Sequence, residues 1–365
     1  MKIKEIIALL EEFAPLSLQE NYDNSGLTLG NIEDEVAAVL CTVDVNEEVV
    51  EEAIKCGCNL ILTHHPVVFN GIKSLTGRSY TERILIKAIK NDIAIYAAHT
   101  NFDNAINGVN QLISSKLDLH NCRILAPMEN HLFKIVTFVP ENHAAKVREA
   151  MFKGGAGHIG NYDNCSYNVS GQGTFRGNES SKPFVGEKNK LHQENETRIE
   201  VVVIKHHVDR VIKELLMVHP YEEVAYDIYP LTNKYNMAGA GMIGYFEKAV
   251  SVKDFLENLK KIFDVSVIRY SGNENKKLKK IAVCGGSGSF LIPDAILEKA
   301  DAFVTSDIKY HQFFDANNSL LLCDIGHYES EQFTKELFYT FLTKKFSTFA
   351  VRLSKVVTNP LKYYI

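Results

Sequence analysis

The chain has 365 residues, of which 45% are hydrophobic and 23% charged, the balance of a soluble globular protein with two or three domains. Its 40 Lys and Arg against 45 Asp and Glu leave a formal charge of -5 and no basic footprint for nucleic acid. No apolar run approaches the roughly 18 residues that span a bilayer. Met1-Lys2-Ile3-Lys4-Glu5 lacks the features of a signal peptide, so a cytoplasmic location away from membranes is expected.

Apolar residues at Ile3, Ile6, Ile7, Leu10 and Phe13 recur at helical spacing, and Pro15 follows, which predicts a helix over 3–13. Tyr22-Asp23-Asn24-Ser25-Gly26 reads as a polar turn. Val36 to Val43 reads as a buried strand and 47–56 as a helix. A second buried strand, Asn59 to Leu62, stops at Thr63-His64-His65-Pro66. Successive side chains of an extended chain point opposite ways, so His64 and His65 diverge unless the backbone bends. A bend at the strand end would turn both imidazoles into one volume; the pair reads either as metal ligands or as capping or buried histidines. A helix around 80–91 and a strand over 93–98 follow, the strand running into His99-Thr100-Asn101-Phe102-Asp103-Asn104.

Strand alternating with helix predicts an α/β fold of mainly parallel sheets flanked by helices. Ligand sites of such sheets gather beyond the carboxyl ends of strands, where His64, His65, His99 and Asp103 all fall.

The pattern changes near residue 128. Strands are expected over 131–139, 164–170, 198–204 and 224–230, with helices over 142–153 and 207–217. This β-α-β-β-α-β order is that of a ferredoxin-like α+β domain, inserted over 128–234 between the flanking segments 1–127 and 235–365. Gly154-Gly155-Ala156-Gly157 follows a helix and reads as a plain turn. His206-His207 opens a helix as capping or surface residues.

Beyond the insert, 252–263 is amphipathic, and Ile281-Ala282-Val283-Cys284 enters Gly285-Gly286-Ser287-Gly288-Ser289. That turn is either an anion cradle or a close strand-to-helix connection; it lacks a P-loop lysine. Strand 302–304 enters Thr305-Ser306-Asp307, with His311 four residues on, where the two could share a helical face. Strand 319–323 leads through Asp324-Ile325-Gly326 to His327-Tyr328-Glu329-Ser330-Glu331 and a helix carrying Phe333, Leu337, Phe338 and Phe341. If 327–331 forms its first turn, His327 and Glu331 stand one above the other.

The 7 cysteines form no C-x-x-C pair and mostly sit in apolar runs, Cys56-Gly57-Cys58 included, as reduced buried thiols do. His64, His65, Asp103, His327 and Glu331 together make three imidazoles and two carboxylates. Nitrogen and oxygen donors without thiolate suit zinc, manganese, iron or cobalt. Five such ligands exceed what one catalytic zinc takes and match two ions if a carboxylate bridges them.

Leu62-Thr63-His64-His65-Pro66, Ala98 to Asp103, Gly285 to Gly288, Thr305-Ser306-Asp307-Ile308 and Asp324 to Glu331 resemble, in order, the motifs of the GTP cyclohydrolase I type 2 homologue family, also called dinuclear metal centre proteins. The resemblance spans both flanks, about 1–127 and 235–365, and the middle segment is similar to the PII/CutA-like domain inserted in some members. It implies two divalent metal ions per chain, zinc foremost, held by His64, His65, Asp103, His327 and Glu331, with Glu331 as the bridge. It also implies a toroidal homohexamer with the metal sites facing an internal cavity. The function expected is metal-dependent hydrolysis of a purine nucleotide or phosphate ester, with His99, Asp307 or His311 as proton-shuttling candidates. The rival is a non-enzymatic metal-binding regulator or metal-delivery protein whose insert senses a small molecule.

Overall fold

The computed structural model describes residues 1–364. Among the described residues fifteen strands follow one another, beginning with β1 (Gly26–Leu29), β2 (Val39–Thr42), β3 (Leu60–Thr63), β4 (Ala94–Ala97) and β5 (His120–Met128). Next come β6 (Leu132–Pro140), β7 (Tyr167–Phe175), β8 (His192–Ile204) and β9 (Tyr226–Leu231). The last six are β10 (Tyr235–Ser251), β11 (Arg269–Ser271), β12 (Lys277–Ser287), β13 (Ala302–Ser306), β14 (Leu321–Asp324) and β15 (Val351–Leu353). The chain divides into two compact units, Met1–Pro127 with Asn236–Ile365, and Met128–Tyr235.

The first unit holds two sheets, one in the order β1-β4-β3-β2-β15 and one in the order β11-β14-β13-β12-β10-β5. Each has a parallel centre. β15, β2, β3 and β4 run parallel in the first, and β12, β13 and β14 in the second. The strand–helix–strand connections behind this are set locally. In helix Glu47–Cys56, Asn46 accepts a hydrogen bond from the Val49 amide at 2.8 Å, and Gly57 takes the left-handed conformation that ends it. Ser79 caps helix Tyr80–Lys90 in the same way. Leu40, Ile61 and Ile95 of the first sheet bury against Val49, Val50 and Ile84 of these two helices. In the second sheet Ala282, Phe303 and Leu322 bury against Leu291, Ile292 and Ala295.

The sheets are mixed, with antiparallel strands at the edges of their parallel centres. β1 pairs antiparallel with β4, β11 with β14, and β10 with β12. β1 begins at Gly26, directly after the polar turn, so the turn serves to lay an edge strand against β4. The helix expected from 327 onward is broken into His327–Glu331 and Thr334–Lys345. Among the described residues no helix is long and apolar enough to cross a membrane.

The second unit has one antiparallel sheet in the order β7-β8-β6-β9. Helices Ala144–Lys153 and Val208–Val218 cover one face, where Ile135, Val139, Ile199 and Val201 pack with Val147, Met151, Val211 and Leu215.

Candidate metal centre

The chain just past β3 bends sharply. The amides of His64 and His65 both donate to the carbonyl oxygen of Val43, at 3.0 and 2.9 Å, and the Thr63 hydroxyl donates to it at 2.8 Å. Two successive amides converging on one acceptor undo the alternation of an extended strand, and the two rings come to lie 4.9 Å apart. Asp103 arrives on the short helix Thr100–Asn104 beyond β4, and His327 and Glu331 on the short helix beyond β14.

Each of these imidazoles is oriented by an oxygen at Nδ1. His64 Nδ1 donates to the Ala98 carbonyl at 2.9 Å, which fixes its proton there. His65 Nδ1 lies 2.7 Å from Asp44 Oδ1, and His327 Nδ1 lies 2.6 Å from Asp307 Oδ2. All three Nε2 atoms are thereby presented as lone pairs, the arrangement in which histidines bind metal. They point at the two oxygens of one carboxylate. His64 Nε2 is 3.5 Å from Glu331 Oε1 and 3.6 Å from Asp103 Oδ1. His65 Nε2 and His327 Nε2 are 3.0 and 3.2 Å from Glu331 Oε2, and 3.3 Å from each other. Three groups result in which the ligand atoms lie within 4.8 Å of one another, His64–Asp103–Glu331, His65–His327–Glu331 and His64–His65–His99.

Acceptors facing acceptors need a cation between them. His64 Nε2 and Asp103 Oδ1 are buried without a hydrogen-bond partner, orphans that a cation would satisfy. The residues present fit a metal ion. The same groups perturb one another's protonation. Burial opposes charge on His65, but its hydrogen bonds to the Asp44 and Glu331 carboxylates outweigh it and push the imidazole up to about 10. His327 is likewise pushed up to about 11, against its burial, by Asp307 and Glu331. Burial works to raise Glu331, yet His64 and the hydrogen bonds of His327 and His65 hold it well below the usual carboxylate range. Asp103 is raised by its burial, with His64 pulling the other way.

The Gly285-Gly286 turn lies against Glu331. Gly286 has φ +61, and a Cβ there would sit 2.3 Å from Glu331 Oε1. Its three glycine amides are already taken: Gly285 donates to Asn110 Oδ1, Gly286 to Ser330 Oγ and Gly288 to Thr305 Oγ1, each at 2.9 Å. This is a close approach of backbone to a carboxylate and not an anion cradle.

His99 stands beside the centre, its ring 5.3 Å from that of His64 and 5.4 Å from that of His65. Its Nδ1 lies 2.7 Å from Asp23 Oδ1. Asp307 holds His327 from a left-handed backbone position, φ 56. His311 is not brought to the centre. Residues 307–311 form no helix, and His311 is exposed beside the rings of Tyr310 and Phe314. Asp23 and Asp44 carry no local motif. The available signal for Asp44 is its place two residues past a parallel strand's carboxyl end. A cavity of 540 Å³ opens over the centre, lined also by Tyr22, Phe69, Phe290 and Tyr328. The rings of Tyr22 and Phe69 stack at 6.4 Å, and Phe69 meets His99 edge-on.

A family model described as Duf34/NIF3 (NGG1p interacting factor 3) matches residues 1–360. The chain belongs to the Duf34/NIF3 family. Among its Duf34/NIF3 relatives is a "GTP cyclohydrolase 1 type 2 homolog" of Halalkalibacterium halodurans, 39% identical over 363 residues, covering 98% of each chain. One of the same name from Bacillus subtilis is 37% identical over 366 residues, covering 99% of this chain and 98% of the relative. The crystal structure of a Bacillus cereus protein related to NIF3 superposes with a TM-score of 0.84 at 39% identity, covering 100% of this chain and 99% of that one.

Proposed function

We propose that this Duf34/NIF3 protein holds two divalent metal ions and uses them for hydrolysis. The observation that carries the reading is the position of Glu331, one oxygen turned to His64 and Asp103 and the other to His65 and His327. One ion would take His64, Asp103 and Glu331, the other His65, His327 and Glu331; zinc heads the metals these donors suit, followed by iron, manganese and cobalt. When bound, such a pair supplies Lewis acidity and activates water for attack on a purine nucleotide or phosphate ester. The chain's own residues do the rest. Asp44 and Asp307 fix the rings of His65 and His327, and His99, held by Asp23, presents Nε2 beside the centre as the group to accept or return a proton. The name of the relatives and the aromatic wall of Tyr22 and Phe69 favour a ring-bearing substrate.

The second unit fits a ferredoxin-like inserted domain, because its β-α-β-β-α-β order is joined to the sheet order β7-β8-β6-β9. The toroidal homohexamer stays part of this reading, and light scattering in solution measures it.

The deciding experiment is elemental analysis of protein purified without added metal, for the wild type and an Asp103→Ala/Glu331→Ala variant, followed by turnover assays with GTP and phosphodiesters. Two ions per chain, lost in the variant, together with turnover that follows the metal, is the expected result. Metal without turnover would favour the regulatory or delivery role, and a chain that stays empty after reconstitution would overturn the metal centre itself.

A further inference from the structure

We propose that the second unit carries a binding site for a small organic ammonium ion, on the sheet face turned away from its helices. The sheet register defines that face. Phe138, Arg198 and Val169 form one cross-strand row, and Pro140, Glu196 and Gly171 form the next. Val139, Ile199 and Val201, which alternate with these positions, face the helices. Over the two rows lies a hollow of 590 Å³, framed by Phe138, Phe175, Phe184, Tyr221, Glu196 and Arg198.

Two glycines of β7 create the hollow. A Cβ at Gly171 would meet nothing within 4 Å, and one at Gly173 would sit 2.1 Å from Glu196 Oε2. The Glu196 carboxylate thus lies across a strand that has no side chain to displace it. Its Oε1 accepts a hydrogen bond from the Tyr221 hydroxyl at 2.7 Å. The Tyr221 ring lies 6.3 Å from Phe175 and 6.3 Å from Phe184, and Phe184 is 50% exposed.

The charges select the ligand. Arg198 is paired with Glu200 at 2.9 Å, and Lys134 also reaches Glu200 at 2.7 Å. Among the described residues Glu196 has no Lys, Arg or His partner; Arg176, Glu222 and Glu223 also line the hollow without an ion pair, but they are exposed at its rim, whereas Glu196 is half-buried within it. An anion would be repelled by that carboxylate, and a neutral ligand would desolvate it without compensation. A primary or methylated ammonium on a short apolar body satisfies both parts: its charge meets Glu196, and its body meets the faces of Tyr221, Phe175 and Phe184, whose quadrupoles also favour a cation.

The test is isothermal titration of the full chain with 2-phenylethylammonium chloride and with the neutral isostere 2-phenylethanol. Saturable binding of one ammonium per chain is expected, with the alcohol roughly 10- to 100-fold weaker. Glu196→Gln should weaken the ammonium by a similar factor. Gly173→Ala should weaken it too, by moving the carboxylate while keeping the charge, and circular dichroism checks that both variants stay folded. The Asp103→Ala/Glu331→Ala variant should bind the ammonium as the wild type does, which separates this site from the metal centre. Absence of saturable binding at millimolar concentration, equal binding of the alcohol, or binding that survives both Glu196→Gln and Gly173→Ala overturns the proposal.

Discussion

Four imidazoles at the centre, those of His64, His65, His99 and His327, commit Nδ1 to an oxygen of the protein and leave Nε2 over. The orienting groups should therefore matter nearly as much as the ligands. Asp44 is gripped from both sides, its Oδ1 by His65 and its Oδ2 by the Thr358 hydroxyl at 2.6 Å. Asp44→Asn is expected to weaken metal binding by roughly 10- to 100-fold, and Thr358→Ala by less, measured by competition with a chromophoric chelator. The raised imidazoles of His65 and His327 add a pH dependence. Their protons are bound at neutral pH in the metal-free protein and must leave when metal enters. Affinity should rise with pH, by about tenfold per unit for each proton released, and titrations in buffers of different ionisation enthalpy count those protons. At this scale the sequence is legible where spacing is local. The adjacent His64 and His65 and the four-residue step from His327 to Glu331 announce themselves, whereas Asp23 reaches His99 across 76 residues with no pattern to mark it.

Elements bring these residues together through their ends and turns. Gly286 and Gly57 both hold left-handed backbone, φ +61 and φ +67, but a Cβ at Gly57 meets nothing and one at Gly286 meets Glu331. Alanine at either position should cost about 1–2 kcal/mol of stability through backbone strain. Only Gly286→Ala should also lose metal, so paired thermal melts and elemental analysis separate the two effects. The long strongly periodic elements are readable in advance. Helix Val252–Phe263 carries its apolar residues on one face and begins at a capping Ser251, all within a dozen residues. The antiparallel edges are not readable, because a four-residue strand such as β1 and a three-residue strand such as β11 are defined by partners 66 to 71 and 51 to 55 residues away. The break at Gln332-Phe333 is hidden for a different reason: the apolar spacing runs on across it.

Over the whole molecule, the second unit carries an acid-sensitive element. Burial lowers His219, whose Nε2 lies 3.0 Å from the Phe138 carbonyl oxygen, and lowers His207 as well. The unfolded chain takes up these protons near 6.5 and the folded unit resists them. The unfolded state therefore binds more protons below that value, and stability falls as pH drops through it. Thermal melts at about pH 7.5 and about pH 5 should show the loss, and His219→Asn should flatten it.

The division of the first unit also has a consequence in time. His65 and Glu331 touch across 266 residues of chain, and the whole second unit is encoded between them. A ribosome adding roughly 5–20 residues per second leaves roughly 13–50 s between the birth of the first histidines and that of the carboxylate that joins them. During that interval the nascent chain gains Asp103 and then every residue of the second unit, while His64 and His65 stay without Glu331. The centre thus cannot form before Glu331 is made, and a truncated chain released earlier cannot assemble it.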